Sequence, residues 1–292
     1  MYLNINSVTT HRCTRCRACI KDCPQHLFAC KDDTSVVFYD PLDQCIRCGH
    51  CIAVCPVDAI DFTSDQLPFL LPKSAPPDSI LDKNALYTFF RARRSIRQYK
   101  DKAVDPALVS RILETMRHAP TASNRERIHY TIVTSSVLRL RLQKKVLGMF
   151  RFIKLLLTII RAVIPFGRNG PGILGNGLFK SLVDTLKRAK DGHDPVFFHA
   201  PCIIILSSPK YSKQGAVDAG IALTHGIFCA QAEGLGSCLI GFAHEMLSRN
   251  RKMRATLQIP KSHTVQGVMV VGYPAVFYTK APPRKPLSAT FH

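Results

Sequence analysis

Acidic residues are scarce: 20 Asp and Glu stand against 40 Lys and Arg in 292 residues, a formal net charge of +20. The shortage is regional. Residues 1–72 hold 8 acids and 6 bases, whereas the remainder holds 12 acids and 34 bases. Such a field attracts acidic lipid, an acidic protein or nucleic acid. No zinc-finger or RNA-recognition signature accompanies it, so nucleic acid is not expected as a partner. No basic-then-apolar leader with a cleavage site precedes the first cysteines, so no secretory signal is expected and the setting reads as cytoplasmic. A bilayer-spanning run is missing too. Over 146–164, three charges cost roughly 7–10 kcal/mol and twelve Leu, Ile, Phe and Val recover only about 4–7 kcal/mol. Disorder is excluded by a hydrophobic content of 46%.

Cysteine, by contrast, is concentrated. Eight of the 12 cysteines fall in "CTRCRACIKDCP" from Cys13 and "CIRCGHCIAVCP" from Cys45, the second run being the first displaced by 32 residues. Clustered thiols in a chain without secretory features favour metal over disulfides. Both runs read C-x2-C-x2-C-x3-C-P, and residues 1–63 resemble a two-cluster 4Fe–4S ferredoxin. Three thiolates at that spacing wrap three corners of one cubane, and the fourth serves the other cluster. The first cluster is expected on Cys13, Cys16, Cys19 and Cys55, the second on Cys45, Cys48, Cys51 and Cys23. Gly49 offers a tight, amide-rich turn near sulfur, a place given to Ala18 in the first copy. Structural zinc is the rival reading, but a third cysteine three residues on crowds a single tetrahedral ion. Cys30, Cys202, Cys229 and Cys238 lie outside the runs and read as small buried side chains.

Proline-rich, aperiodic sequence then marks a linker over 64–81. Beyond it the texture changes. "LDKNALYTFFRARR" reads as a helix, as does "VDPALVSRILETMRHAP", with Asp105 as N-cap and Pro106 in the first turn. "HYTIVTS", "PCIIILSS" and "TVQGVMVVGYP" read as strands. "GAVDAGIALTHGIFCAQAEGLG" between the last two reads as a helix buried on most sides. Helices and strands without strict alternation predict an α+β domain over 82–292, preceded by the small ferredoxin-like domain.

Within 82–292, "RRSIRQYKDKAVD" (93–105), "APTASNRERIHY" (119–130) and "GLGSCLIGF" (234–242) occur in the order and at the separations of the nitroreductase family of flavoenzymes. The whole chain resembles the ferredoxin–nitroreductase fusions, with an atypical insertion at about 138–195. That resemblance implies a homodimer with FMN at the subunit interface. It assigns the FMN phosphate and ribityl chain to Arg93, Arg94, Ser95 and Arg97, with Arg284 as a late basic contact. A dianionic phosphate fits such charge-assisted donors. Thr121, Ala122, Ser123 and Asn124 are implied to lie against the flavin. The backbone of Leu239, Ile240 and Gly241 is implied at its N5 edge. Each assignment has a plainer counterpart: a solvated arginine run, an Asx-type turn, a basic tail. The family's usual glutamine two residues after the asparagine is Glu126 here, and Glu126 is not assigned. No side chain is nominated as nucleophile, acid or base.

Inside the insertion, "GPGILG" (170–175) satisfies G-x-G-x-x-G but lacks the preceding strand, so a loop or lid is expected rather than a dinucleotide site. Ahead of it, "KKVLGMFRFIKLLLTIIRAVI" reads as an amphipathic helix that packs at the dimer interface, lines the pocket or lies in the plane of an anionic membrane. The leading expectation is an FMN-dependent oxidoreductase. Its electrons come from an external low-potential donor, a ferredoxin-like protein, through the clusters to FMN, which reduces a nitroaromatic, quinone or activated alkene. A quinone reductase on the inner membrane surface and a non-catalytic electron-transfer adaptor are the rivals.

Overall fold

A computed structural model of the chain describes residues 3–31, 35–65, 82–163 and 176–291. Most of the proline-rich linker and the "GPGILG" loop lie outside these residues. The chain divides into two compact units. One comprises Met1–Asp82 together with Thr121–Glu126; the other comprises Lys83–Pro120 and Arg127–His292.

The N-terminal unit is built twice over. Strand β1 (Asn4–Val8), helix α1 (Ala18–Asp22) and strand β2 (Phe28–Lys31) are followed by β3 (Ser35–Phe38), α2 (His50–Val54) and β4 (Ile60–Thr63). β1 pairs antiparallel with β4, and β2 with β3, so each ribbon joins a strand of one half to a strand of the other. Its core is small: Ile5, Phe28, Val36 and Ile60 pack with Cys19 and Cys51. Two of the six buried core residues are therefore thiols assigned to metal.

The second unit is organised by a four-stranded antiparallel sheet in the order β5 (His129–Val133), β6 (Cys202–Pro209), β8 (His263–Gly272), β7 (Gly236–Leu239). β6 is buried throughout, which accounts for its continuous apolar sequence "PCIIIL". Alternate residues serve opposite faces. Ile203 and Ile205 of β6, with Val268 and Val270 of β8, join one core. Cys202, Ile204 and Leu206, with Met269 and Val271, join the other. The second face is covered by α4 (Pro106–Arg117) and α7 (Gly215–Ala232). The first is covered by α5 (Ser136–Val163), α6 (Asn176–Lys190), α8 (Gly241–Arg249) and α9 (Arg251–Thr256). Helix α3 (Lys83–Ala92) precedes this layered body and buries no residue.

Local signals act as the sequence requires. Asp105 caps α4, its carboxylate accepting from the Ala107 N–H at 2.8 Å, and Pro106 opens the helix. Gly226 of α7 lets α4 approach: a Cβ there would stand 2.8 Å from the Met116 side chain. Ile204→Ala, at the centre of β6, should cost about 2–5 kcal/mol in urea denaturation. Val137→Ala, on an exposed turn of α5, should stay within about 0.5 kcal/mol.

Candidate functional site

The cysteine runs fold around two hollows. Cys13, Cys16, Cys19 and Cys55 line one. Cys45, Cys48, Cys51 and Cys23 line the other. Each run thus sends its fourth cysteine to the other run's cavity. The local cause is visible at the helix ends. α1 and α2 stop at Cys23 and Cys55, whose backbones turn extended (ψ 112 and 114), so both thiols leave the helix that carries the third cysteine. The following proline enforces that exit, since it disfavours helical geometry in the residue before it.

The backbone of these loops repeats at the same 32-residue interval. Arg15 and Arg47, Arg17 and Gly49, and His26 and Asp58 all have positive φ, between 48° and 72°. The glycine's partner in the first copy is Arg17, not Ala18; the displacement of 32 places it there, and Ala18 opens α1. A non-glycine residue with φ near 60° carries strain. Its return is a concave run of amides, the arrangement that suits anionic groups. Two such donors already face sulfur: Leu27 N–H to Cys23 Sγ at 3.5 Å and Ala59 N–H to Cys55 Sγ at 3.2 Å.

Burial raises the thiols of Cys19 and Cys45, and pushes Cys51 up to about 12. Desolvation of the thiolate is the leading cause in all three, opposed chiefly by backbone N–H donors. A bound metal reverses this preference by holding the sulfur deprotonated. Among the described residues, no group of three or more His, Cys, Asp or Glu side chains is arranged to hold one metal ion. Four thiols ringing a hollow match a cubane, whose corners spread the ligands apart.

Asn124, Ser123, Thr121 and Ala122 sit in the segment that belongs to the N-terminal unit. They form a short 3₁₀ turn with Ser123, Asn124 and Glu126 all at positive φ. The turn is held by the Thr121 hydroxyl, which accepts from the Glu126 N–H at 3.0 Å. The Asn124 amide donates to the Arg47 carbonyl at 3.0 Å and the Ile46 carbonyl at 3.4 Å. Those are the residues between Cys45 and Cys48. This use of Asn124 had no sequence signal, because the direction of an amide side chain is a tertiary outcome.

In the second unit, the arginine segment lies alongside the glycine-rich strand. Ser95 bridges in parallel to Ser237 of β7, and the Ile96 N–H donates to the Ser237 carbonyl at 2.9 Å. Gly236 permits this approach, since a Cβ there would stand 2.5 Å from Ile96. Cys238 reports the charge that gathers here. Burial raises its thiol, while Arg97, the Ser95 hydroxyl and Arg93 all act to lower it. Cys238 itself is buried in the core, as its reading as a small buried side chain expects. Arg94 donates to the Arg93 carbonyl. Leu239 and Gly241 are exposed at the end of β7 and the start of α8, with Ile240 buried between them. Arg284 lies exposed in the C-terminal segment, which has no helix or strand.

The model of the nitroreductase family matches residues 90–273, and that of a 4Fe–4S dicluster domain matches residues 12–60. The chain belongs to the nitroreductase family. A dicluster domain precedes its nitroreductase domain. The fold is shared with an FMN-bound nitroreductase from Bacteroides fragilis NCTC 9343, at 22% identity and TM-score 0.55, over 71% of this chain and 100% of that one. It is shared also with an FMN-bound nitroreductase from Desulfitobacterium hafniense DCB-2, at 18% identity and TM-score 0.53, over 70% and 96% of the two chains. An FMN-dependent nitroreductase from Clostridium difficile R20291 matches at 20% identity and TM-score 0.51, over 72% and 100%.

Anaerobically reconstituted protein should hold about eight iron and about eight labile sulfide per chain. In Cys23→Ala, the paramagnetic resonance of the cluster at Cys45, Cys48 and Cys51 should change, and that of the other cluster should persist. Asn124→Ala should perturb the same cluster alone; unchanged spectra for both would show that the amide does not shape the Cys45–Cys48 loop.

Proposed function

We propose that the chain is an iron–sulfur flavoprotein oxidoreductase. Electrons from an external low-potential donor enter at two 4Fe–4S clusters, one on Cys13, Cys16, Cys19 and Cys55 and the other on Cys45, Cys48, Cys51 and Cys23. They leave through FMN to a nitroaromatic, quinone or activated alkene. The observation that carries this reading is the presence, in one chain of nitroreductase fold, of two four-thiol cavities and an arginine-rich segment, Arg93–Arg97, fixed to β7. Bound FMN would supply one- and two-electron chemistry, and bound clusters one-electron transfer.

The chain's own residues then have definite tasks. Arg93 and Arg97 present guanidinium groups, and Ser95 a hydroxyl, on the segment fixed to β7. Planar, permanently charged donors suit a phosphate dianion. Leu239 and Gly241 offer exposed backbone where strand gives way to helix, the place a flat ring system needs close approach. At the cysteine cavities, the Leu27 and Ala59 amides donate to ligand sulfurs and so stabilise negative charge there. No side chain is assigned as acid or base.

A nitroreductase domain that takes hydride from a nicotinamide needs no cluster to reduce its flavin, and this supports flow from the clusters to the flavin over the reverse, from NAD(P)H through FMN and the clusters to an acceptor protein. Covalent attachment raises the effective concentration of the module beside its redox partner. In anaerobic stopped-flow spectroscopy, reduced ferredoxin should reduce the flavin rapidly, NADH and NADPH should not, and disruption of the Cys13 run should abolish the step. Rapid flavin reduction by NAD(P)H in the disrupted variant would reverse the assigned direction; purified protein without flavin would favour the adaptor. Arg93→Ala should lower FMN affinity by about 2–5 kcal/mol in fluorescence titration, against little change for exposed Arg251→Ala.

A further inference from the structure

Helix α5 runs for 28 residues without an acidic one. It lies in a longer stretch, Arg127–Val183, that holds ten Lys and Arg and no Asp or Glu. One side of the helix is spent on the core: Leu142, Val146, Phe150 and Leu157 are buried against the sheet. Past Gly148 a second apolar stripe points elsewhere. Phe152, Leu155, Leu156 and Ile159 recur at i, i+3, i+4 and i+7, the spacing of one helix face. They are 60, 57, 42 and 53% exposed. Two turns toward the N-terminus, the same side carries exposed Arg141 and Lys145, and exposed Arg151 flanks the stripe one turn before Leu155.

We propose that this face of α5 docks on an anionic lipid bilayer, lying in the plane of the headgroups with the stripe in the acyl boundary and the basic residues on the phosphates. Four adjoining large apolar side chains bordered by cations, with no anion along the helix, are the pattern of an interfacial helix. Spanning is excluded for α5: among the described residues, no helix is long and apolar enough to cross a membrane. A second copy of the chain fits this face poorly. A two-fold contact sets a patch against itself, and a face whose helix holds no acid offers Arg141, Lys145 and Arg151 no counter-charge. Lipid phosphate meets them with the opposite sign. The docked helix also adjoins the flavin loop proposed above, because the Phe150 ring stands edge-on to Phe242 at 4.7 Å, next to Gly241. That link rests on the functional reading; lipid binding itself does not.

The test is flotation of the intact chain with vesicles of phosphatidylcholine alone and of phosphatidylcholine with an equal part of phosphatidylglycerol. Binding is expected to the mixed vesicles only, and to weaken as salt rises. The triple variant Phe152→Ser, Leu155→Ser, Ile159→Ser should lose roughly tenfold or more in vesicle affinity, with cluster content and thermal midpoint retained. Arg141→Gln with Lys145→Gln should weaken binding and flatten its salt dependence. Absence of binding to mixed vesicles at low salt would overturn the proposal. So would equal binding by the triple variant, which would make the attraction a general consequence of net charge. An oligomer in light scattering that the triple variant breaks, without lipid binding, would give the stripe to a second copy instead.

Discussion

Each cysteine cavity closes only when the other run supplies its last thiol, and the N-terminal unit depends on that exchange. Its apolar core is a handful of side chains, two of them cysteines. A module of this size buries too little to be secure unaided. Metal binding supplies what burial does not, because ligands gathered only in the folded state turn binding energy into folding energy. The exchange of Cys23 and Cys55 therefore acts as a pair of cross-braces between the two halves. The raised thiols express the same dependence: burying Cys51 is costly for a bare thiolate and favourable for a metal-bound one.

In the nitroreductase domain the corresponding constraint is the sheet. β6 and β8 are buried on both faces, so the two cores meet at their backbones and every edge position is set relative to them. β7 is the edge strand on which this register becomes chemistry. Its carbonyl at Ser237 takes the Ile96 N–H, and Ser95 bridges to it in parallel, so the segment that carries Arg93, Arg94 and Arg97 is fixed to this edge. A cationic set would repel itself if left to the side chains alone. Fixing the backbone of the segment to a rigid strand holds the charges together.

Much of this was legible in the sequence, for identifiable reasons. The cysteine spacing carries its own geometry, since helix ends and a proline decide where the fourth thiol can go. The strands "HYTIV" and "CIIIL" and the capped helix opening at Asp105–Pro106 rest on local rules that tertiary packing did not override. Arg17 was missed because a left-handed arginine contradicts residue preference, and only the repeat register reveals it. Cys238 reads as a small buried side chain and is buried in the core. The hydrogen bond from the Asn124 amide to the Arg47 carbonyl is not legible, because it depends on which distant groups surround the side chain, and no periodicity records that.

Helix α5 shows why an apolar pattern can be read and its purpose not. At 1.5 Å per residue, its 28 residues extend about 42 Å, whereas the 10 residues of β8 extend about 34 Å. The helix is longer than any strand of the sheet. Among its described side chains Leu157 is the last that is buried in the core, and beyond Phe150 the apolar side chains divide between that core and the opposite face. From sequence the two stripes merge into one broadly apolar helix, suited equally to an interface, a pocket wall or a membrane surface. The fold separates them by burying one stripe in the core and leaving the other exposed. What remains exposed is the part whose apolar character the fold of this chain does not explain, and its cationic border restricts the kind of surface that can cover it.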